Sequence, residues 1–435
     1  MSVRGYVFHS FQMFEKILKI KKDTPAVSKT VNINLAEGAS HRWILREDEE
    51  YTAVETPEGL LVKPLDRPLV KVYLEPTVMC NLNCRTCIRN SWDEPTGTMS
   101  MDTFTALIKS LEAVPSFRTM AFWGFGEPLM HPEILQMITM ANDKGVETEL
   151  ITNGLLLDDR MARGLIEAGL DRLIVSVDGV SSASYETIRK GSNLHRVTAN
   201  VEKLNRLKRD LHSETPELGM EYVLMKSNLK DFPRLPQLVR SLEASFVIVT
   251  NVLPYTEDLK DEILYDLSAG LIPQPSRSKL FPEIVLPRID AQRETLDTFA
   301  DLLSQCTGSI DLMSSRRGYV TDFCPFVWEG AAAVSWNGDV SPCVALMHSY
   351  DCHIIDRKKR IRSYSLGNVK GEAIGTIWDK EEFQQFRRRV IRFDFPPCMS
   401  CGGCDMSESN LEDCFGNPHP TCGDCLWARG IIQCP

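Results

Sequence analysis

Between residues 69 and 252, short apolar runs alternate six times with longer stretches of helical spacing. The runs Leu69 to Leu74, Thr119 to Trp123, Val146 to Thr152, Leu173 to Val177, Met220 to Met225 and Phe246 to Val252 read as strands. Helical spacing covers Met101 to Val114, Pro132 to Lys144, Asp158 to Ala168, two stretches running to Arg209, and Leu235 to Leu242. This alternation predicts an α/β fold, a parallel sheet with helices outside it. In such sheets ligands gather at the C-terminal ends of the strands. The unusual residues fall there: a cysteine cluster after the first strand, Gly126-Glu127-Pro128 after the second and Asn153-Gly154 after the third.

The rest of the chain divides around that core. Residues 1–66 read as a small N-terminal region. Met1 to Lys22 suits a short amphipathic helix, and Tyr51 to Val54 and Leu60 to Val62 suit strands separated by Pro57-Glu58-Gly59. The core domain is placed at 67–255. A connecting segment at 256–323 carries Pro273, Pro275, Pro282 and Pro287, which predict an extended crossing, then a helix near Thr295 to Ser304. Residues 324–435 form a cysteine-rich end. No apolar run is long enough for a membrane span and no secretory signal is evident, so a cytoplasmic protein is expected. The net charge of −10 disfavours a nucleic-acid partner. The basic runs Arg357-Lys358-Lys359-Arg360 and Arg387-Arg388-Arg389 read as solvated surface, with docking of an acidic partner as the alternative.

Fourteen cysteines are many for a chain without an export signal, so metal is expected rather than disulfides. Three lie within Cys80 to Cys87 and seven within Cys398 to Cys434. Cys80-x3-Cys84-x2-Cys87 offers three thiolates. A cubane has four irons, so three local ligands leave one iron open to a small molecule. Structural zinc is the alternative, but it is closed by four ligands, and the nearest downstream histidine is His131.

On these residues the stretch from 69 to about 255 resembles the radical S-adenosylmethionine (SAM) superfamily, whose fold is a partial (β/α)6 barrel. The resemblance implies a [4Fe-4S] cluster on Cys80, Cys84 and Cys87 that passes one electron into the sulfonium of SAM. The 5′-deoxyadenosyl radical so formed abstracts hydrogen from a substrate. It also implies cofactor contacts. Phe125-Gly126-Glu127-Pro128 matches the GGEP stretch that holds the methionine amino group, with Phe125 in place of its first glycine. Asn153 lies near the ribose or forms a plain turn. Ser176, in Ser176-Val177-Asp178-Gly179, matches the serine contact, and Asp178 adjoins it. Arg189 matches the following arginine or faces solvent.

The C-terminal cysteines resemble a SPASM extension with auxiliary clusters. Cys324 and Gly338-x4-Cys343 match its entry, followed by Cys398, Cys401, Cys404, Cys414, Cys422, Cys425 and Cys434. These nine thiols exceed by one the eight that two fully ligated cubanes take, and spacing leaves the spare one open, with zinc in one site as an alternative. Cys306 and Cys352 fit no pattern.

A narrower resemblance covers the chain from about residue 40. Leu74-Glu75-Pro76-Thr77, Gly124 to Leu129, Glu149 to Gly154, Asn251-Val252-Leu253-Pro254 and Pro420 to Trp427 are similar to the tungsten cofactor oxidoreductase maturases. This implies a role in maturing a tungsten-containing aldehyde oxidoreductase or its cofactor, with a ferredoxin- or flavodoxin-type electron donor. The rival is a maturase that crosslinks or oxidises a ribosomal peptide. Sulfatase-type maturases carry an acid directly after the second SPASM cysteine, where this chain has Val344. A non-enzymatic electron carrier is the third reading. No general base is assigned. Tyr255, His348 and Asp339 are candidates by polarity alone.

Overall fold

Ser100, Asp158, Ser181 and Asn193 each stand one residue before a stretch of helical spacing, and each caps a helix. Their side chains accept from the backbone N–H three residues on, which satisfies a donor the helix cannot. The capped helices are Met101–Leu111, Asp159–Glu167, Ser182–Ile188 and Leu194–Asp210. With Ile134–Asn142 and Leu235–Ser241 they alternate with six strands: β3 (Lys71–Leu74), β4 (Thr119–Phe122), β5 (Glu147–Thr152), β6 (Arg172–Ser176), β7 (Glu217–Leu224) and β8 (Phe246–Asn251). Two earlier strands, β1 (Tyr51–Thr56) and β2 (Gly59–Pro64), make a separate antiparallel hairpin. The computed structural model describes residues 51–56, 59–64, 67–266, 283–286, 289–290, 292–305, 310–312, 324–399 and 404–434, within the compact unit Trp43–Pro435. The expected N-terminal helix, the prolines of the connecting segment, Cys306 and Cys401 lie outside the described residues.

Strands β3 to β8 pair side by side, all parallel, in chain order. This is the expected (β/α)6 arrangement, but the sheet is wider than six strands. On one edge β9 (Glu283–Leu286) pairs parallel with β8, and β10 (Ile310–Leu312) pairs with β9. The connecting segment therefore contributes strands where an extended crossing was expected. Beside prolines, runs of three and four residues give no readable period. On the other edge β11 (Ala331–Val334) pairs parallel with β3, followed by antiparallel β12 (Asp339–Ser341) and, beyond it, β15 (Gly367–Asn368). Alanine is depleted in strands, so Ala331-Ala332-Ala333 carries no strand signal. A hairpin of β13 (Tyr350–Ile354) and β14 (Arg357–Ile361) stands apart.

Alternation along the strands separates two cores. Val72, Leu74, Met120, Phe122, Leu150, Val175 and Val249 pack toward the helices. Tyr73, Ala121, Ala331 and Ala333 face the other side, where they meet Phe326, Val344, Leu426, Trp427 and Ile431 of the cysteine-rich end. The last described residues cross the end of β8: Asn251 Nδ2 donates to the Ile431 carbonyl at 3.0 Å, and Gln433 N–H donates to Thr250 Oγ1 at 2.9 Å. The inner face of the sheet is thus lined in part by the extension.

The basic runs are in part structural: Lys358 is exposed, but Lys359 and Arg387 are buried. Arg357 and Lys359 both reach Asp424 at 2.6 Å, and Asp424 is buried between Cys422 and Cys425. A buried carboxylate is tolerated when cations and hydrogen bonds surround it. Arg387 is almost fully buried, its guanidinium 4.1 Å from the Trp378 ring centroid. No described helix is long and apolar enough to cross a membrane.

Candidate functional site

The chain leaves β3 at Leu74 and forms a loop whose shape its own hydrogen bonds determine. Val78 N–H donates to the Gly97 carbonyl at 3.0 Å, Asn83 N–H to Lys190 at 3.1 Å and Arg85 N–H to Ile188 at 2.8 Å. Arg89 clasps the loop by donating to the Val78 and Leu82 carbonyls at 3.2 and 2.8 Å. Arg85 ties it outward to Glu262 at 2.6 Å. Cys80, Cys84 and Cys87 project from this loop, each partly buried and none in a disulfide. Burial pushes the Cys84 thiol up to about 11, against the opposing charge of Arg189, and Cys87 and Cys80 are among its electrostatic neighbours. Burial likewise raises Cys80, with Leu82 N–H and Arg89 opposing. Neutral thiols of this kind become ligands by losing protons to a metal. Among the described residues, no three Cys, His, Asp or Glu side chains converge tightly enough to enclose a single ion. A four-iron cube takes its thiolates at separate corners and needs no such convergence.

The expected cofactor residues stand around this loop. Gly126 is pressed against it: a Cβ there would lie 2.1 Å from the Thr77 carbonyl oxygen and 2.7 Å from that of Met79. Glu127 N–H donates to the same Met79 carbonyl at 2.8 Å. The Glu127 carboxylate is buried and engaged within the protein, accepting from Thr152 Oγ1 at 2.7 Å, Asn153 N–H at 2.8 Å and Leu129 N–H at 3.1 Å. The Gly126-Glu127-Pro128 turn therefore has its side chain committed, and backbone is what it has to offer a ligand. Asn153 donates to Asn81 Oδ1 at 2.8 Å and so joins the end of β5 to the cysteine loop.

Arg189 does not face solvent. It is buried, with Nε 2.8 Å from Asp178 Oδ2, and it is an electrostatic neighbour of Cys84. Asp178 Oδ1 accepts from Val223 N–H at 3.0 Å, so this carboxylate is occupied from both sides. Ser176 Oγ donates to Glu221 Oε2 at 3.1 Å. Glu221 was missed at the sequence level. Burial pushes its carboxyl up to about 7, against the pull of Arg189. The available signal was an acidic residue inside the apolar run Met220–Leu224, on the same strand face as Gly219. The residues assembled here supply three thiols, a backbone turn and charged groups at adjacent strand ends. That donor set fits a cubane with an open iron and a small zwitterionic ligand.

The extension's thiols fall into groups that spacing did not separate. Burial raises Cys343 well above the ordinary thiol value, and its neighbours Cys324, Cys425 and Cys422 raise it further. Cys422 has Cys425 and Cys324 as neighbours in turn. Cys398, Cys404 and Cys414 line a second site, a cavity of about 120 Å³ that also touches Met406 and Phe415. Cys434 stands at the edge of the first group. It accepts from Trp427 Nε1 at 3.0 Å, and its electrostatic neighbours are Glu221 and Lys71 of the sheet ahead of Cys425. Cys352 is buried on β13, where burial pushes its thiol up to about 12. Of the three polar candidates for a base, Asp339 accepts from Asn337 and Asn368 at 2.8 Å each, Tyr255 packs edge-on to Tyr350, and His348 is held between two carboxylates.

Comparison with known proteins yields three findings. Residues 74–234 match the radical SAM superfamily, and residues 324–405 match an iron–sulfur cluster-binding domain known as SPASM. The chain is 30% identical over 374 residues to a tungsten-containing aldehyde ferredoxin oxidoreductase cofactor-modifying protein of Pyrococcus furiosus, covering 84% of this chain and 96% of that protein. Among solved structures, native anSMEcpe with bound AdoMet and the Cp18Cys peptide matches with a TM-score of 0.51 at 19% identity, covering 78% of this chain and 88% of that one. SuiB of Streptococcus suis bound to precursor peptide SuiA matches with a TM-score of 0.50 at 14% identity, covering 77% and 70%. At these identities the two structures share the fold.

Proposed function

The chain belongs to the radical SAM superfamily and carries the SPASM extension, and from that premise we propose that it matures a tungsten-containing aldehyde oxidoreductase or its cofactor. The observation carrying this reading is the match along nearly the whole length of the Pyrococcus furiosus cofactor-modifying protein. Cys80, Cys84 and Cys87 hold the cluster that binds SAM. When bound, that cluster supplies the electron that breaks the sulfonium C–S bond and frees a 5′-deoxyadenosyl radical.

The chain's own residues position the cofactor. The backbone of Gly126, Glu127 and Pro128 takes the methionine amino group, Asn153 and Ser176 flank the nucleoside, and the Asp178–Arg189 pair sets the charge beside Cys84. The working divisions are 67–255 for the barrel, 256–323 for the connection and 324–435 for the auxiliary clusters, with 1–66 as a small preface. A ferredoxin- or flavodoxin-type protein donates the electron.

The auxiliary thiols divide as their grouping suggests. Cys324, Cys343, Cys422 and Cys425 close one cluster, Cys398, Cys401, Cys404 and Cys414 hold the other, and Cys434 is the spare. On this division Cys422→Ala loses about four of about twelve irons per chain, whereas Cys434→Ala keeps them all. Iron and sulfide analysis of the anaerobically reconstituted variants checks it. Equal iron loss in both would place Cys434 among the ligands, and zinc in either site would show in the same metal analysis.

Deleting this gene in its native host tests the function. The tungsten aldehyde oxidoreductase should lose activity while its polypeptide still accumulates, and its tungsten content then separates metal insertion from a later modification. Unchanged activity and metal would overturn the reading and turn attention to a peptide substrate.

A further inference from the structure

His348 and Glu75, both buried, form a chain of charge with the half-buried Glu94. Glu75 directly follows the first barrel strand and is fully buried. His348 comes from the extension, 273 residues away in sequence, and its Nε2 lies 2.8 Å from Glu75 Oε2. Its Nδ1 lies 2.8 Å from Glu94 Oε2, on the segment that follows the cysteine loop. Burial alone would lower the imidazole pKa, but the two carboxylates outweigh it and push it up to about 9, so the ring is a cation at neutral pH. A buried carboxylate needs such a partner to stay ionised.

The other oxygen of Glu75 points at the cofactor turn. Glu75 Oε1 accepts from Phe125 N–H at 3.0 Å, and a Cβ on Gly124 would lie 2.5 Å from the Glu75 side chain. Phe125 is the residue that stands where the related families carry their first glycine. Its ring packs edge-on against Trp92 and His348, with centroids 5.7 and 5.8 Å away. Trp336, also from the extension, donates its backbone N–H to Glu75 Oε2 at 3.4 Å and lays its ring against Gly97, whose carbonyl anchors Val78 of the cysteine loop. The extension therefore reaches the cofactor turn through one carboxylate.

We propose that His348 is a positioning residue for SAM: acting through Glu75, it sets the backbone of Phe125, Gly126 and Glu127, so that the auxiliary-cluster domain controls cofactor affinity. The proposal rests on the reading that this turn holds SAM. It explains why phenylalanine is accommodated at the family's glycine position. Its amide is held by Glu75 and its ring by the histidine that holds Glu75. Removing the imidazole takes away the hydrogen bond that holds Glu75 Oε2, so the carboxylate that accepts from Phe125 N–H is no longer held in place from the extension's side.

The test uses the full chain, reconstituted with iron and sulfide and not reduced. The dissociation constant of radiolabelled SAM is measured by equilibrium dialysis beside iron content for wild type, His348→Gln, Glu75→Gln and Cys84→Ala. Glu75→Gln keeps the side-chain volume and an acceptor for Phe125 while removing the ion pair, so it serves if His348→Gln folds poorly. Both substitutions should weaken SAM binding on the order of tenfold with iron unchanged, and KM for SAM should rise with little change in the yield at saturation. SAM affinity at the wild-type value in both variants overturns the proposal, as does loss of the iron in both, which would make the chain of charge part of the loop's scaffold. If Cys84→Ala also binds SAM as wild type does, the cofactor-site reading itself has failed. If Cys84→Ala loses SAM and His348→Gln does not, only the role of His348 has.

Discussion

Cys84→Ala, reconstituted anaerobically and reduced with dithionite, yields no 5′-deoxyadenosine and retains about eight of about twelve irons per chain. The effect is all-or-none because Cys84 is one of only three thiols on the loop, with Arg189, Cys87 and Cys80 as its electrostatic neighbours. Cys324, Cys343, Cys422 and Cys425 are occupied with one another, and Cys398, Cys404 and Cys414 line their own cavity. Alanine also leaves the Arg189–Asp178 pair without the thiolate it faces when the cluster is loaded. The auxiliary clusters are built from the chain after residue 323 and should survive. The quantity to measure is 5′-deoxyadenosine by chromatography, with iron determined on the same sample. Cofactor cleavage by the variant at the wild-type level would remove the loop from the chemistry.

Gly126→Ala is expected to be nearly as damaging, for a steric reason. The added methyl would meet two backbone carbonyl oxygens, those of Thr77 and Met79, at 2.1 and 2.7 Å. A flexible side chain could swing away, but backbone bound on both sides cannot. Thr77 is bridged to Thr98, and Met79 accepts from Glu127. Either the cysteine loop or the Gly126–Glu127 turn must move, and the cofactor needs both. The cost is about 3 kcal/mol of stability, together with loss of SAM binding. Gly145→Ala is the comparison: it has φ of +71° and open space around it, so only the left-handed backbone is penalised, at about 1 kcal/mol. Urea midpoints of the two variants compare these costs directly. A Gly126→Ala midpoint no lower than that of Gly145→Ala, with SAM still bound, would contradict the geometry.

What could be read from the sequence was what repeats at short range. Strands β3 to β8 and their helices showed because apolar periodicity is a local signal. The cysteine triad and the Gly126-Glu127-Pro128 turn showed because each is a contiguous motif placed after a strand. Strands β9, β10 and β11 did not show, since short runs beside prolines or made of alanine carry no period. The grouping of the extension's described cysteines depends on which turns meet in space, and Cys434 takes Glu221 and Lys71 as neighbours because the chain re-enters the inner face of the sheet. Arg189 was legible as a motif position, but its burial against Asp178 was not. Glu221 and the Glu75–His348 pair were invisible for one reason: each acquires its environment from residues tens to hundreds of positions away. A buried charge announces itself only when its partner is known.

The sites also differ in what the fold does for them. At the cysteine loop, hydrogen bonds from Arg89 and from the helix carrying Ile188 shape the backbone before any metal arrives. That preorganisation reduces the ordering cost of loading a cluster. In the extension, the buried Asp424 between two cysteines is neutralised by Lys359 and Arg357, which brings β14 against the first auxiliary group. Arg357 and Lys359 thus brace the cysteine-rich end from within.

The central claim is that the loop of Cys80, Cys84 and Cys87 holds a cluster with an open iron that takes SAM. Electron paramagnetic resonance of the dithionite-reduced enzyme, recorded with and without SAM, tests it most directly. The account predicts that SAM changes the signal of one cluster, leaves the auxiliary signals as they were, and does nothing in Cys84→Ala. A spectrum that SAM does not alter in the fully reconstituted wild type, or that it alters equally in Cys84→Ala, would contradict it.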